Sequence, residues 1–478
     1  MNIRHMVCLR LFSMAILVGL FLTGSPISAQ VADYAWHPDQ RLTSDPGASR
    51  TTFNFGRSIA VDESGRVHAV WYDARHGQLH IYYRRSTDQG GTWAPEQRIS
   101  RESFIHEHPS IAVAGASVYI VWHAVVPGQG PRIHMAHSSD NGQTWAPPQT
   151  LTTGQGTYAT LAVVDEVVHL VWTDTGAGGA EIQYRQSLDG GLAWDLDRRL
   201  TNIPYPSRTP SIAADENLVA LAWVDTKDDN EEEYVKVSTD GGQTWGKDTR
   251  ITKNRLNSWA PSVSVFGESI HLVWFDQKAN GVGLPDAERQ LDEMLRMIGV
   301  SFTSESVKKT QANVFDRRAL QRRIQEKLQR VEASKDIWHA RSGDPRQLQG
   351  LLLRFQQTVD KANSEWEIYY RRSENGGHKW EKEKRLTKQI GMSSRPNIAV
   401  SGSNVHLVWS DNRGGRTALY YMMSTDNGKS WAEEVRLTDA AGGAMDPSIA
   451  VSGNVVHVLW YDTRDGNAEV YYKRYEGN

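Results

Sequence analysis

The chain has 478 residues, with 53 Lys and Arg against 56 Asp and Glu and a formal net charge of −3, so there is no basic surplus to suggest a nucleic-acid partner. One cysteine, Cys8, excludes a disulfide framework, and if a leader containing it is removed, thiolate catalysis and metal binding through Cys are excluded too. Length alone suggests about three domains, but a continuous internal repeat argues for one large domain carrying an insertion.

Arg4 and Arg10 precede an apolar run from Leu11 to Leu22, and Ser25-Pro26-Ile27-Ser28-Ala29 follows before Gln30. This reads as a secretory signal over residues 1–29, cleaved after Ala29, and the run is too short to favour a membrane span. The mature protein, 30–478, is then expected to be secreted or periplasmic. Loss of Arg4 and Arg10 makes its balance more acidic.

From Ser86 onward one turn recurs six times, as STDQGGTW, SSDNGQTW at Ser138, SLDGGLAW at Ser187, STDGGQTW at Ser238, SENGGHKW at Ser373 and STDNGKSW at Ser424. Ser and Asp side chains can bond the turn's own backbone, Gly supplies positive φ, and the closing Trp brings a large surface to bury. Each turn lies between a strand such as Ile81-Tyr82-Tyr83-Arg84-Arg85 and a short strand ending in Arg-Leu-Thr or a variant. Ahead of each hairpin come a strand like Ser110-Ile111-Ala112-Val113 and another like Val-His-Leu-Val-Trp, with its Trp at 71, 122, 172, 223, 274, 409 and 460. Four antiparallel strands in steps of roughly 50 residues, apart from one interruption, predict a seven-bladed all-β propeller. Seven strand pairs and six turns leave one blade short. Trp36 stands before Arg41-Leu42-Thr43 as each turn Trp stands before its own equivalent, so this segment is expected to be the outer strand of the blade built from Pro447 to Arg474, closing the ring.

The interruption lies in blade five between Trp274 and Ser373. Its composition shifts to helix formers, with Pro285 and Asp286 opening one helical pattern, Ala319, Leu320, Ile324, Leu328 and Val331 marking a second, and Leu348, Leu351, Leu352, Phe355 and Val359 a third. Residues 278–363 are expected to form a helical insertion, either a plain subdomain or a lid or protein-docking arm.

Successive strand connections alternate between the two faces of a blade, so residues just before each innermost strand ring the channel mouth. They include Arg57, His106, Glu107, His108, Tyr158, Arg208, Trp259, Arg395 and Asp446. Arg57, Arg208 and Arg395 come from separate blades and could converge on an anion, since bidentate guanidinium contacts suit a carboxylate or phosphate. Residues repeated in every blade read differently. His68, His169, His271, His406 and His457 share one strand register and would be spread around the ring rather than gathered on a metal. Asp73, Asp174, Asp225, Asp276, Asp411 and Asp462 follow the strand Trp and read as loop caps or as a rim of ligand-facing carboxylates. The unrepeated His106-Glu107-His108 reads as a solvated loop or as a metal or acid/base site.

The six turns resemble the Asp boxes of the sialidase superfamily, across nearly all of the mature chain outside the insertion. The resemblance implies three arginines on a sugar carboxylate, a Tyr nucleophile with a Glu partner, and an Asp acid/base. Arg57-Ser58-Ile59-Ala60-Val61 occupies the place of the family's Arg-Ile-Pro motif without its Pro, and Val70-Trp71-Tyr72-Asp73-Ala74-Arg75 that of an acidic strand end closing on Arg. No Tyr and Glu pair can be assigned, and the family's sialidases have six blades. Asp73, Glu107, Tyr158 and Asp446 are the catalytic candidates; Arg57, Arg208, Arg395, His106, His108 and Trp259 are the ligand-binding candidates. No metal or cofactor is expected. The functional expectation is recognition of a glycan or other anionic ligand at the channel mouth, with sialidase-like hydrolysis of a glycosidic bond; the alternative is a non-catalytic binding or assembly scaffold.

Overall fold

The computed structural model describes residues 35–277 and 366–477, apart from short segments at 54–55, 177–178, 203–204, 228–229, 255, 389–390 and 440. Seven antiparallel sheets follow one another in chain order, and blade four shows the plan: Ser207–Asp215 innermost, then Leu218–Asp225, Glu232–Ser238 and the short outer strand Thr249–Arg250. The seven strand tryptophans are essentially fully buried and fill the spaces between sheets. Gln40 pairs with Tyr472 and Arg41 with Tyr471, while Trp36 bridges to Tyr475. The N-terminal strand thus completes blade seven and no open edge remains between the first and last blades. No helix occurs among the described residues, which form an all-β propeller, so the helical insertion expected in blade five is no part of the described fold. The segment 278–363 itself lies outside the described residues, as does the expected leader over 1–29.

Recurrence of Arg-x-Thr has a local cause. In the closing strand, Arg41 Nη2 and Thr43 Oγ1 both donate to the carboxylate of the fully buried Glu469, at 2.6 and 2.5 Å. Arg250 and Thr252 hold Glu232 in the same way, and Arg385 and Thr387 hold Glu367. Each threonine hydroxyl also accepts a backbone N–H of the third strand, as from Val470 at 2.9 Å, so the outer strand is clamped through side chains where its ladder is only two residues long.

The Ser-x-Asp-x-Gly turns are self-contained. Ser238 Oγ donates to Asp240 Oδ1 at 2.7 Å and accepts the N–H of Gly242 at 2.8 Å, while Thr244 donates its N–H and its hydroxyl to the same aspartate at 2.8 and 2.5 Å. The Thr244 hydroxyl, its N–H and the Ser238 hydroxyl together pull the Asp240 carboxyl down to about 2. Gly242 has φ of 83°, and a Cβ there would collide with the hydroxyl of Tyr184 from blade three. That hydroxyl is in turn bonded to His169 Nδ1 at 2.9 Å. The same latch joins blade one to two (His68, Tyr83, Gly142), five to six (His271, Tyr370, Gly428) and seven to one (His457, Tyr472, Gly90). Between blades six and seven, Tyr421, held by His406, meets Trp36 instead of a turn glycine. The repeated histidines are therefore latch parts around the ring.

The aspartates after the strand tryptophans cap loops internally. Asp225 accepts from the Ser207 hydroxyl, the Trp223 indole and the backbone N–H of Lys227. Arg75, Arg413 and Arg464 pair with Asp73, Asp411 and Asp462 at 2.6–2.7 Å and lie over Tyr82, Tyr420 and Tyr471.

Blade four breaks the pattern at one core position. Where the other blades place Ile81, Ile133, Ile182, Ile368, Leu419 and Val470, all fully buried, it has Glu233, equally buried and with neither carboxylate oxygen partnered. Burial first, and then the neighbouring Asp276, Glu232 and Glu231, push this carboxyl well above the ordinary glutamate range.

Two tests follow from these features. Asp240→Ala is expected to lower the melting temperature at neutral pH; the gap to the parent should close as pH falls from the ordinary aspartate value toward about 2, where the parent's own turn carboxylate takes up its proton. Glu233 binds its proton more tightly folded than unfolded, so its share of stability is present below the unfolded value and is lost as pH rises through the folded one. Glu233→Ile should raise stability by about 1–3 kcal/mol at neutral to alkaline pH and by less near about pH 5, read by calorimetry; equal melting of parent and variant across that range would show that the carboxyl is solvated.

Candidate functional site

Six innermost strands share a bulge at the channel mouth. His108, Tyr158, Thr209, Ala260, Arg395 and Asp446 take positive φ of 50–58°, and the strand register slips at each. The next residue is Pro in five of them, which removes a ladder donor where pairing lapses anyway. A left-handed non-glycine residue is costly, and here it re-aims the side chains that flank the mouth. Blade one differs: its innermost strand is split into Ser49–Arg50 and Ile59–Val61. The chain leaving the first piece reaches outward, with Thr51 Oγ1 donating to the Asp446 carbonyl of blade seven at 2.8 Å and Thr52 Oγ1 to the Pro109 carbonyl of blade two at 2.5 Å. Phe53 then packs, with Trp259, against the apolar cluster of blades five and six that includes Trp366, and the Arg395 guanidinium of blade six lies 4.9 Å from its ring centroid.

Around Phe53 a cavity of about 290 Å³ is lined by His108, Tyr158, Arg208, Thr209, Glu231 and Trp259. The His108 ring stacks on His123 at 5.3 Å between centroids, and Tyr158 stands edge-on to both, at 5.4 and 5.7 Å. Tyr72 of blade one approaches His108 at 5.5 Å. Behind them, Glu107 Oε1 lies 3.1 Å from His123 Nε2, a bond that fixes the imidazole and holds the Glu107 carboxyl below its usual range. Burial, with His123 beside it, lowers His108 to about 4, so its ring is uncharged at neutral pH and can accept a proton. Opposite, Arg208 Nη2 meets Glu231 Oε1 at 3.2 Å, and the Trp259 indole N–H donates to the other oxygen of Glu231. The Arg208 side chain remains 40% exposed, enough to meet a ligand.

Of the residues singled out in the sequence, His108, Tyr158, Arg208 and Trp259 share this cavity, with Glu107 just behind. Arg395 and Asp446 form an ion pair of 2.7 Å beside it, and burial pushes the Asp446 carboxyl up to about 6. Arg57 lines a different cavity and donates to the Val263 carbonyl at 3.3 Å. The three arginines thus occupy three separate settings. His106 is buried, accepts the Trp122 indole N–H at 2.9 Å and caps blade two. Asp73 is buried, held by Ser49 and Arg75. Among the described residues no group of three or more acidic or His side chains is placed to hold a metal ion. Phe53, His123, Glu231 and Tyr72 were not singled out. His123 had a signal: it directly follows the strand Trp122, where the other blades have Tyr72, Thr173, Val224, Phe275, Ser410 and Tyr461.

These features define a seven-bladed propeller with an imidazole, a phenol and a guanidinium in one aromatic-walled cavity at the channel mouth. No protein-family model and no curated protein matches the chain. Among solved structures, an ulvan lyase from a new family of polysaccharide lyases, bound to a GlcA(1-4)Rha3S unit, is similar at 11% identity and TM-score 0.56, over 91% of this chain and 95% of its own. The polysaccharide lyase Uly1 is similar at 8% identity and TM-score 0.55, over 92% and 99%. The phage phi92 endosialidase stands at 8% identity and TM-score 0.48, over 93% and 70%. At such identities the likeness is one of fold, and the neighbours include propeller enzymes that process glycans.

Proposed function

We propose that the chain binds an anionic polysaccharide at the mouth cavity and cleaves it by β-elimination. The observation that carries this reading is the meeting of His108, Tyr158 and Arg208 in a cavity with room for roughly one or two sugar units. In a uronate the C5 proton is acidified by the adjacent carboxylate once that charge is neutralised. Arg208 meets the carboxylate, and uncharged His108, held on the Glu107–His123 pair, takes the C5 proton. The C5–H electron pair becomes the C4=C5 double bond, the C4–O bond breaks, and the Tyr158 hydroxyl protonates the departing oxygen. Phe53 and Trp259 supply faces for sugar rings. Ordinary glycoside hydrolysis needs two carboxyl groups across one bond, whereas here Glu107 is engaged by His123, Glu231 by Arg208 and Trp259, and Asp446 by Arg395. The fold likeness to two polysaccharide lyases, one bound to a glucuronate-containing unit, supports the same reading. We assign the six Ser-x-Asp turns to the Asp-box type of the sialidase superfamily, and the apolar leader to export toward extracellular glycans. Sialidase-like hydrolysis is the second reading, favoured by Asp446, a buried acid held at about 6 beside Arg395.

The test is incubation with glucuronate-containing polysaccharides and, separately, sialosides. Elimination gives ultraviolet absorbance from the unsaturated uronate; new reducing ends without it indicate hydrolysis, and binding without turnover indicates a scaffold, either of which overturns the reading. His108→Ala and Tyr158→Phe should each lower kcat by about 10²–10⁴-fold in folded protein, and Arg208→Ala should weaken action on uronates far more than binding of neutral sugars. Because His108 must be uncharged, kcat/KM should hold from neutral pH to about pH 5 and fall as that ring takes up a proton near about 4.

A further inference from the structure

The innermost strands leave a second cavity, the central channel, of about 210 Å³. Its wall is the repeated aliphatic segment, Ile59-Ala60-Val61 in blade one and its counterparts around the ring; among the lining residues Arg57 is the one charged group and Ser264 the one hydroxyl. It shares no lining residue with the mouth cavity. Arg57 enters it because blade one lacks the bulge of the others: Gly56 N bonds the Phe53 carbonyl, and Arg57 N is held by Ser110 Oγ at 3.2 Å.

From that anchor the guanidinium reaches to the Val263 carbonyl of blade five, with one N–H bonded at 3.3 Å. A guanidinium has five N–H donors, and no carboxylate among the described residues pairs with this one. Burial works against its charge, with no acid to offset it. Arg75, Arg208, Arg395, Arg413 and Arg464 each have an acid within ion-pair distance, and Arg84 and Arg371, which have none, are bonded to three and two backbone carbonyls, whereas Arg57 has one. A half-buried cation without an acid, set in an aliphatic-walled channel, is stabilised by a counter-charge with hydrogen bonds.

We propose that the central channel is a binding site for a small monovalent anion, with the Arg57 guanidinium as its ligand. Chloride and formate share the needed chemistry. One negative charge neutralises one cation, while a divalent oxyanion would leave net charge in the same apolar wall. The anion lies under the mouth and acts as a neutralising pin between blades one and five, so its effect falls on stability rather than on glycan chemistry.

The experiment is thermal unfolding of the whole protein in sodium chloride, formate, sulfate and gluconate at equal ionic strength. The melting temperature should rise with the logarithm of chloride or formate concentration above the dissociation constant, by several degrees over the range, and much less in sulfate or gluconate. Arg57→Gln, which keeps a donor for Val263 and removes the charge, should abolish the dependence. Equal melting in all four salts, or the same chloride slope in the variant, overturns the proposal. Crystals grown with bromide provide a readout independent of the variant's folding: an anomalous peak within hydrogen-bond distance of Arg57 is expected, and a channel without one overturns the site.

Discussion

Most of this ring depends on one contact: a tyrosine hydroxyl from one blade lodged against the glycine of the next blade's turn. Because a Cβ at Gly90, Gly142, Gly242 or Gly428 would overlap that hydroxyl, the turn must present bare backbone. A histidine on the neighbouring strand takes the same hydroxyl at 2.7–2.9 Å and fixes its direction. A turn that stabilises only itself would explain the serine and aspartate. The latch explains why glycine, tyrosine and histidine recur with them, and why the ring can close through hydrogen bonds and packing without a disulfide.

What repeats was legible in the sequence, and what departs from the repeat was legible only in part. Turn motif, strand tryptophans and the outer strand at Arg41-Leu42-Thr43 are each enforced by a local physical demand made several times over, so spacing alone located them. The bulges were less legible. Their positive φ is spread over six unlike residues, among them His, Tyr, Thr and Asp, and only the following proline hints at them. Phe53 was invisible for another reason: its position over the mouth arises from the split innermost strand of blade one, a topological event with no sequence periodicity. Arg57, Arg208 and Arg395 occupy equivalent places in the repeat because each immediately precedes or opens an innermost strand, yet a bulge shifts side-chain direction within two residues. One of them entered the channel, one the cavity wall and one an ion pair.

The chemistry of the mouth comes from the same bulges. In a regular strand the side chains of an innermost strand point between blades or along the sheet, where packing claims them. Turning one residue left-handed frees it from that alternation and leaves its backbone supported by the strands on either side. His108 and Tyr158 are both such residues, in adjacent blades, which is why two unrelated positions in the chain bring their rings within 5.4 Å. Local backbone strain is a familiar mark of functional positions. Here, however, strain is repeated in every bulged blade, so it reports access to the mouth and not chemistry; the chemistry is read from which side chain each bulge carries.

The full latch is present at four junctions, and among those without it the one between blades four and five is where the site's cation sits. Between blades four and five the histidine and tyrosine positions are Ala220 and Val235, and the turn glycine Gly377 faces Val237 and Ile270 in place of a hydroxyl. The same seam carries the buried, unpartnered Glu233 beside Asp276. Three successive glutamates opening the third strand of blade four serve three different ends: Glu231 holds Arg208 and Trp259 at the mouth, Glu232 is clamped by Arg250 and Thr252, and Glu233 is buried in the seam. A junction without its latch and with an uncompensated acid is the softest joint of the ring by physical expectation. A closed propeller tolerates such a joint because four other junctions carry the full latch, and this seam, which lacks it, is the one that the mouth wall of Arg208, Glu231 and Trp259 spans.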